Sequence, residues 1–573
     1  MSLSSASTTD HIWTSPQSLL SWSKETLTTD IVTFAFANLG QYDKNKPIFI
    51  DAKDPTKSIS ASQAYTTVCQ LVNGLKNLGV KEGDCVCLHA FNNIWYPLVW
   101  LAIMGSGAIA SPINPAYTST ELERHLRLTD PKFIFTQPGC LGSIAEVASK
   151  CNIPNSHIFL VENNQEPNIH GCHSWKTILA GSEEYDPVPL FEHGRSLQGR
   201  LALYAMTSGT TGLPKAAMIP HRYVVAQAAA LEKQFITRNY QPSQLICLPV
   251  FHAFAAPLAL VLPLRLGMQT YFLPKFNLSD FLQAISKFDI TDAPVVPPIL
   301  GTLAHLSSVD IQHLQSLRYV ICAGATLNPN VQEKLASRLH RDANVAQCWG
   351  TTEAGWHTLV PWNEKDTSGS IGWLMADVEL KLVDCNGHNI RREEQIGEAL
   401  IRSPTLFSGY IGDVSATVDS FDRQGFYRTG DFAFVRGGKL YYNGRRKEIM
   451  KVNGWQVSPT EVETVLLEHP QIVDAAVYGV QTENGQGISQ TMLCAYVVRR
   501  PLESVSTEKS GLSDKPQDER AQNRVSGQDV KDLVASKLIS YKHLKKVTFV
   551  RKIPRSPTGK ILRWRLNEVE LEK

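Results

Sequence analysis

The feature that most constrains the fold is a repeated alternation of short apolar runs with helix-like segments. The apolar run Pro47–Ile50 is followed by a helical pattern over Ala61–Leu78, a second run at Asp84–His89 and an apolar helical segment over Trp95–Gly105. The alternation continues to about Gly355. Because strands that alternate with helices along a chain tend to pair in parallel, the pattern predicts an α/β fold with layered, largely parallel sheets.

The length and charge of the chain bound its organisation and its partners. Its 573 residues exceed what a single hydrophobic core usually organises, so we expect a large domain built of subdomains and a smaller one. The formal net charge is +2 and the sequence has no polybasic tract, which argues against a nucleic-acid partner and against adsorption to a membrane surface. Attraction of a charged substrate must therefore come from local residues.

The cysteines and the two ends of the sequence favour a cytoplasmic protein. The 11 cysteines are dispersed and have no His or Cys neighbour at a zinc-like spacing, which is typical of a reducing compartment. Met1–Asp10 lacks the basic and apolar segments of a secretory signal, and Leu571–Lys573 is not a peroxisomal Ser-Lys-Leu tripeptide. The first thirty residues are rich in Ser and Thr and predict a loose leader.

One uncharged apolar run, Ile94–Ala110, has two interpretations. It is at the short limit for a membrane span, and it contains Pro97 and ends in Gly105-Ser-Gly107. These features favour a buried helix, and we expect no stable insertion into a membrane.

The stretch Tyr204–Lys215, with the sequence Tyr-Ala-Met-Thr-Ser-Gly-Thr-Thr-Gly-Leu-Pro-Lys, indicates a phosphate-binding loop. Small hydroxyl residues and two glycines allow backbone N–H groups to converge on an anion, and Lys215 adds a positive charge. It is not a Walker A loop, because Leu213-Pro214 separates Gly212 from the lysine and no Ser or Thr follows. A polar surface loop remains the alternative from these residues alone. The candidate ligands are Thr207, Ser208, Gly209, Thr210, Thr211, Gly212 and Lys215.

Further stretches stand in order downstream of this loop. They are Ala323-Gly-Ala-Thr326, Gln347-Cys-Trp-Gly-Thr-Thr-Glu353, Tyr427-Arg-Thr-Gly-Asp431, Gly444-Arg-Arg-Lys-Glu448 and Arg555-Ser-Pro-Thr-Gly-Lys560. With this set the chain resembles the acyl-adenylate-forming enzymes, and among them the 4-coumarate and acyl-CoA ligases, from about Phe49 to Arg563. One such motif arises readily by chance, whereas the ordered set does not.

The resemblance implies the residues that bind the nucleotide. The backbone of Ala325 and its neighbours would follow the adenine, with Gln347 and Gly350 nearby and Trp349 stacking on the ring. For Trp349 the alternative is plain core packing. Thr352 would bond the α-phosphate and Glu353 would bind Mg²⁺, which prefers hard oxygen ligands.

The ribose is assigned in the same way. Asp431 would accept hydrogen bonds from both ribose hydroxyls, and Arg445 would support the ribose and the phosphate. From the residues alone, an aspartate after a glycine is more often a turn residue.

The resemblance implies roles for two further side chains, and each of them also has an ordinary structural interpretation. His252, which follows an apolar strand-like run, would orient the reacting carboxylate and then the thioester; alone, a histidine there is more often a satisfied loop residue. Lys275 would contact a phosphate of CoA, and its alternative is a solvated surface lysine.

The resemblance also implies two domains that move relative to each other. Residues 1–443 would form an AMP-binding (adenylation) domain with parallel sheets, and residues 444–573 a small mobile α+β lid that rotates about Gly444. Lys451 and Gln456 match active-site positions, and Asn453-Gly454 match backbone that borders the CoA tunnel. Residues from about 500 to 527 are charged, Ser-rich and poor in apolar side chains, which predicts a solvated, disordered or weakly structured insertion.

The implied reaction is ATP-dependent formation of an acyl-CoA in two steps. A carboxylate and ATP give acyl-AMP and pyrophosphate, and the CoA thiol then displaces AMP. Lys560 would bridge the acid and the α-phosphate, because a positive group at the point where two anions meet offsets their repulsion.

The sequence leaves the acid and the acceptor open. Phe254, Cys322, Trp349 and Val360 would make an apolar chamber for an aryl or fatty acid, and Phe254 replaces a tyrosine common in coumarate ligases. Three alternatives remain: transfer to a carrier-protein thiol, an ordinary ATPase or kinase, and a catalytically dead nucleotide-binding relative.

Overall fold

The computed structural model describes residues 11–15, 29–161, 168–169, 171–180, 199–207, 214–325, 327–446, 448, 450–452, 455–483, 489–500, 524–556 and 559–572. Its strands form three sheets in a large N-terminal domain and two small sheets in a C-terminal domain. The predicted α/β class is confirmed, with a large first domain and a smaller second one.

The first sheet has eight strands and a parallel centre. Its inner strands pair in parallel, and an antiparallel strand closes each edge. In spatial order the strands are Ala216–Pro220, Leu201–Met206, Ile109–Ile113, Cys85–His89, Pro131–Thr136, Ile158–Leu160, Cys172–Ser174 and Asn168–Ile169.

The second sheet has nine strands and contributes most of the candidate site. Its central strands are parallel, so their carboxyl ends lie at one edge, where the loops that follow them meet. In spatial order the strands are Trp373–Leu374, Gly355–Leu359, Asn344–Thr351, Tyr319–Cys322, Asp292–Val295, Ser243–Ile246, Gln269–Phe272, Pro47–Asp51 and Ser58–Ser60.

The third sheet is antiparallel and leads into the C-terminal domain. Its strands in spatial order are Trp13–Thr14, Glu379–Val383, Gly397–Arg402, Tyr427–Arg436 and Lys439–Arg445. The C-terminal domain has a two-stranded sheet, Met450–Val452 with Trp455–Val457, and a three-stranded sheet of Ile472–Glu483, Ser489–Arg499 and Lys546–Phe549. The pairing of Trp13–Thr14 with Leu380 and Glu379 contradicts the loose-leader prediction for these two residues.

The helices cover the sheets, and several begin with a capping side chain. Ser60, for example, accepts from Gln63 N while the Gln63 side chain bonds back to Ser60 N, which satisfies two free donors of that helix start. The described helices are Ile31–Phe36, Ala61–Asn77, Tyr96–Gly105, Ser119–Thr129, Leu141–Lys150, Lys176–Ala180, His221–Ile236, Leu262–Leu266, Leu278–Phe288, Pro297–Ala304, Pro329–Ala336, Val414–Asp419, Pro459–Leu466 and Gly527–Lys537.

The apolar run Ile94–Ala110 forms a buried helix and the start of a strand. Every residue of Tyr96–Gly105 is buried, because helices and sheets cover this helix on all sides. Within the described part of the chain, no helix is both long and apolar enough to cross a membrane.

Most of the predicted insertion lies outside the described residues. Residues 501–523 are not described, whereas residues 524–527 are, and Gly527 begins the helix Gly527–Lys537 with Ser526 as its cap.

Candidate active site

A cavity of about 190 Å³ lies where the C-terminal domain meets the carboxyl edge of the nine-stranded sheet. Loops that follow parallel strands supply its large-domain wall, and the last part of the chain supplies the opposite wall. The predicted site residues that line it are His252, Ala325, Gln347, Trp349, Gly350, Thr352, Asp431, Arg445 and Lys560. The tertiary structure thus brings together residues that are spread over more than half of the sequence.

Asp431 lies at the centre of the polar wall. One carboxylate oxygen, Oδ2, accepts a hydrogen bond from Trp349 Nε1 at 2.8 Å. The other, Oδ1, lies 3.2 Å from Arg445 Nε but has no well-aligned hydrogen-bond donor among the described residues, although it is buried. A buried carboxylate oxygen without a donor is costly unless a ligand supplies one. A ribose hydroxyl is such a donor.

Arg445 stays charged although it is buried. Burial disfavours its charged form, but Asp431, Tyr442 and Glu448 together outweigh this effect and raise the pKa of the guanidinium. Arg445 ends the strand Lys439–Arg445, which pairs with the strand that carries Asp431, so the two residues face each other in register. The pair is therefore fixed by sheet geometry, not by loop conformation.

Thr352 and Glu353 follow the strand Asn344–Thr351 and are held by two tyrosines. Tyr223 Oη donates to the backbone carbonyl of Thr352 at 3.1 Å, and Tyr410 Oη donates to Glu353 Oε1 at 2.9 Å. The structure describes no hydrogen-bond donor to Glu353 Oε2. Glu353 is partly exposed.

The phosphate-binding loop is described only at its two flanks. Thr207 N donates to the Lys215 carbonyl at 2.8 Å, which joins the flanks at the base of the loop. The predicted ligands Ser208, Gly209, Thr210, Thr211 and Gly212 lie outside the described residues. Lys215 Nζ is 2.9 Å from Asp413 Oδ2 and 5.2 Å from the centre of the Tyr410 ring. Because Tyr410 bonds Glu353, the lysine lies beside the candidate metal ligand.

His252 and Lys560 face each other across the domain boundary. Burial, together with the nearby charge of Lys560, lowers the pKa of His252 to about 3. Burial also lowers the pKa of Lys560 to about 8, with Arg445 adding to this shift and Asp431, Glu353 and Glu448 opposing it. At neutral pH the arrangement is therefore a cationic lysine beside a neutral imidazole. His252 Nδ1 accepts from Phe254 N at 3.3 Å, which orients the ring.

Several of the predicted site residues either do not line the cavity or lie outside the described residues. Lys275 is exposed and does not line the cavity. Lys451 and Gln456 lie opposite each other in a two-stranded ladder, but their side chains are outside the described part of the structure. Asn453, Gly454 and Thr326 also lie outside it.

The apolar chamber differs from the predicted one. Phe254 and Trp349 line the cavity, whereas Cys322 and Val360 are buried behind it and do not. Trp356 and Ile371 take their place. The rings of Trp356 and Phe254 lie 5.3 Å apart, centre to centre, and are inclined by 36°. Trp356 comes three residues after Glu353 and alternates in direction with His357 along a strand, which is the signal that could have identified it.

Sequence reasoning also missed charged residues of the C-terminal domain. Arg555 and Arg563 line the cavity on either side of Lys560, and Glu448 and Glu463 accompany them. Arg555 and Glu448 belong to two of the motifs described above, but the sequence does not show that their side chains point into the cavity.

A family described as AMP-binding enzyme matches residues 36–411, and its C-terminal domain family matches residues 461–560. The chain belongs to the AMP-binding enzyme family. Two of its similar relatives are fungal, an acyl-CoA ligase (azaF) and a phenylacetyl-CoA ligase (epaB) of Aspergillus niger, each 37% identical to it. The alignments cover 93% and 95% of this chain and 97% of each relative.

A solved structure of similar fold is the anthranilate CoA ligase AuaEII in complex with anthranoyl-AMP. The TM-score is 0.79 at 24% identity, and the match covers 95% of this chain and 97% of that one. The predicted resemblance to acyl-CoA ligases is thus confirmed, and the chain is an AMP-forming acid–thiol ligase that uses ATP and CoA.

Proposed function

We propose that this enzyme of the AMP-binding family converts an aryl or arylalkyl carboxylic acid to its CoA thioester through an acyl-AMP. The observation that carries the proposal is the presence of Lys560 in the same cavity as Thr352 and Asp431. The carboxylate attacks the α-phosphate, pyrophosphate leaves, and the CoA thiol then attacks the acyl carbon and displaces AMP. Lys560 reduces the repulsion between the two anions in the first step.

In this scheme, residues of the large domain bind the nucleotide and orient the acid. Asp431 accepts from the ribose through Oδ1, Thr352 bonds the α-phosphate, and the neutral His252 orients the acid carboxylate without adding charge. A preorganised polar site does this without reorganising at the moment of reaction.

A magnesium ion fits Glu353. In the described part of the chain no three His, Cys, Asp or Glu side chains gather as a metal site. Mg²⁺ does not require such a cluster, because one carboxylate suffices when phosphate oxygens and water complete the shell. Glu353 Oε2 would hold the ion, which would neutralise charge on the leaving pyrophosphate.

Two aromatic walls support an aryl acid over a long fatty acid. Phe254 and Trp356 line the cavity with neighbouring rings that give a flat apolar surface, a setting that favours an aromatic ring. The relation to a phenylacetyl-CoA ligase points in the same direction.

CoA is the acceptor thiol, and a carrier-protein thiol is a further acceptor that can be tested. The similar relatives carry CoA ligase names, and this supports a soluble thiol as the acceptor. Lys275, exposed and near the carboxyl edge of the strand Gln269–Phe272, remains a candidate for CoA phosphate. Comparing CoA with a phosphopantetheinylated carrier as acceptor separates the two.

The experiment that tests the function is an acid panel scored by products. Benzoic, phenylacetic, cinnamic and straight-chain fatty acids are each incubated with ATP, Mg²⁺ and CoA. We expect AMP, pyrophosphate and a thioester, with the highest kcat/KM for an aryl or arylalkyl acid. Release of ADP or orthophosphate would indicate a kinase or ATPase, and no pyrophosphate–ATP exchange with any acid would indicate a nucleotide-binding protein without catalysis.

Lys560→Ala tests the division between the two steps. We expect acyl-AMP formation to fall by at least about 100-fold, since a preorganised charge at the reacting centre is lost. Thioester formation from supplied acyl-AMP should stay within about twofold of the wild type, because the lysine has no role there. Equal loss in both half-reactions would contradict the assignment.

A further inference from the structure

Arg555 and Ser556 form one side of a hairpin, and Lys560 and Ile561 form the other. Arg555 pairs with Ile561 as an antiparallel bridge, and Ser556 N donates to the Lys560 carbonyl at 2.8 Å. In return, Lys560 N donates to Ser556 Oγ at 3.1 Å. The backbone position of Lys560 therefore depends on what holds this hairpin to the rest of the domain.

One guanidinium joins the hairpin to the sheet of the C-terminal domain. Arg555 donates from Nη2 to Asp474 Oδ1 at 2.6 Å and from Nε to Oδ2 at 3.2 Å. Its third nitrogen, Nη1, donates to the Gly559 carbonyl at 2.6 Å, directly before Lys560. Asp474 lies in the strand Ile472–Glu483, and its Oδ1 also accepts from Ala475 N at 2.9 Å.

The geometry of this contact is specific to arginine and aspartate. The planar guanidinium offers parallel donors to both carboxylate oxygens and still reaches a backbone carbonyl. A lysine has one ammonium group and cannot span the three acceptors. The side chains are only 19% and 26% exposed, so solvent competes weakly for these hydrogen bonds.

We propose that Arg555 and Asp474 are positioning residues that set the reach of Lys560 into the cavity. The lysine side chain has several rotatable bonds, so its ammonium group is placed accurately only if its backbone is fixed. A displacement of about 1 Å at a reacting group can cost about 100-fold in rate. The proposal rests on the proposed role of Lys560 in acyl-AMP formation.

A competing role follows from the position of Arg555 on the cavity wall. Its guanidinium could bind a phosphate directly. The partner distinguishes the two roles, because Asp474 does not line the cavity. Loss of Asp474 releases the hairpin but leaves the guanidinium in place to contact a phosphate, so it should slow the reaction most if Arg555 acts through the hairpin.

The test compares half-reactions in Arg555→Ala, Asp474→Asn, Lys560→Ala and the double variant Arg555→Ala/Lys560→Ala. Acyl-AMP formation is measured with enzyme in excess, and thioester formation is measured from supplied acyl-AMP. We expect Arg555→Ala and Asp474→Asn each to slow acyl-AMP formation by about 10- to 100-fold. The KM for ATP should change by less than about threefold and thioester formation by less than about twofold. In the Lys560→Ala background, loss of Arg555 should cost nothing further.

Arg499→Ala is the matched control. The Arg499 guanidinium also donates from several nitrogens: two of them donate to the Val525 carbonyl, and a third pairs with Glu572 at 3.1 Å. Both charged side chains are 20% exposed, and neither lines the cavity. We expect a loss of thermal stability similar to that of Arg555→Ala, with acyl-AMP formation unchanged. Arg555→Lys should remain close to Arg555→Ala, because one ammonium group cannot replace the guanidinium.

Three results would each overturn this proposal and leave the proposed function intact. The first is normal acyl-AMP formation in both Arg555→Ala and Asp474→Asn, and the second is equal slowing of both half-reactions. The third is a further loss when Arg555→Ala is added to Lys560→Ala. A raised KM for ATP in Arg555→Ala with normal Asp474→Asn would assign Arg555 to direct phosphate contact instead. If Arg555→Ala does not fold, Asp474→Asn carries the test, because it keeps the side-chain volume and one acceptor. Absence of pyrophosphate release by the wild type with every acid would overturn the proposed function and this proposal with it.

Discussion

At the scale of single residues, the site is built from side chains whose charge is set by burial. His252 is kept neutral and Lys560 is kept only moderately basic, because both lie between the two domains and away from bulk water. Lys560 also disfavours the charged form of His252, and Arg445 disfavours that of Lys560. The lysine keeps its proton at neutral pH because the carboxylates of Asp431, Glu353 and Glu448 oppose that effect.

The first residue-scale prediction is a pH dependence of acyl-AMP formation. The pKa of Lys560 is about 8, below its ordinary value of 10.5, so the required cation is present below this pH and is lost above it. We expect kcat/KM for ATP to fall as pH rises through about 8, because this parameter reports the free enzyme. His252, with a pKa of about 3, should add no loss between pH 5 and 7.

The control for this profile is Lys560→Arg. A guanidinium stays charged over the whole range, so the fall near pH 8 should disappear even if the rate is lower. A fall that persists in Lys560→Arg would assign the titration to another group.

The second residue-scale prediction concerns Trp356. Its indole also borders a second, water-sized cavity of about 10 Å³, lined by Ala230, Met375 and Thr405 among others. Trp356→Leu would join this space to the main cavity. We expect kcat/KM for an arylalkyl acid longer by one methylene to rise by about 10-fold relative to the preferred acid, since one methylene in an apolar pocket is worth about that much. Competition between the two acids measures the ratio, and an unchanged ratio would contradict the assignment.

At the scale of elements, the strand Lys439–Arg445 connects the large domain to the C-terminal domain. Arg446 N donates back to the Gly430 carbonyl at 2.8 Å, and Arg446 pairs with Glu398 at 3.2 Å. Gly444 within this strand has φ +108°, a conformation that non-glycine residues rarely adopt. The proposed rotation about Gly444, and the domain boundary at residues 443 and 444, stay predictions.

The prediction at this scale is the effect of Gly444→Ala. An added Cβ would lie 2.5 Å from Ser458 Oγ, and the positive φ would be strained. We expect a loss of about 1–3 kcal/mol in the free energy of unfolding and slower turnover, with single-turnover acyl-AMP formation less affected than the complete reaction.

Gly425→Ala is the matched control for the hinge. Gly425 has φ +79°, is exposed and has no atom near an added Cβ. The Gly425→Ala variant should be less stable than the wild type, but it should not slow one half-reaction more than the other. A Gly444 variant with unchanged turnover would rule out this glycine as the hinge.

At the scale of the whole molecule, the site exists only where the two domains touch. Gly559, the neighbour of Lys560, packs against Pro298 and Val296 of the large domain, and Asn328 Nδ2 donates to the Thr464 carbonyl at 3.4 Å. The close approach at Gly559 depends on the absence of a side chain there. Docking of the C-terminal domain and delivery of Lys560 are thus one event.

The corresponding prediction is that Gly559→Ala impairs docking. An added Cβ would lie 3.2 Å from Pro298 Cδ and 3.3 Å from Val296 Cβ, and φ is +80°. We expect acyl-AMP formation to fall by about 10-fold or more, with thioester formation from supplied acyl-AMP nearly unchanged. Gly387→Ala, at φ +82° with nothing near its Cβ, should leave both half-reactions unchanged. Equal rates in the Gly559 variant and the wild type would show that docking tolerates a side chain.

The sequence by itself determined the parts that depend on local pattern. Apolar periodicity located the helix Ala61–Asn77 and the strand Cys85–His89, and the ordered motifs identified the family and, among the residues that line the cavity, Trp349, Asp431 and Lys560. These succeed because a helix, a strand or a motif is encoded within a few neighbouring residues. The same local reading failed for Trp13–Thr14, whose order comes from pairing with a distant strand.

Only the tertiary structure decided which side chains share the site and what charge they carry. Phe254 and Trp356 line the cavity whereas Cys322 and Val360 do not, a difference that depends on how the loop that carries Phe254 and the strand that carries Trp356 turn their side chains. The low pKa of His252 and the contact of Arg555 with Asp474 arise from burial and from neighbours far apart in sequence. Such terms depend on three-dimensional distance, which residue order along a chain does not fix.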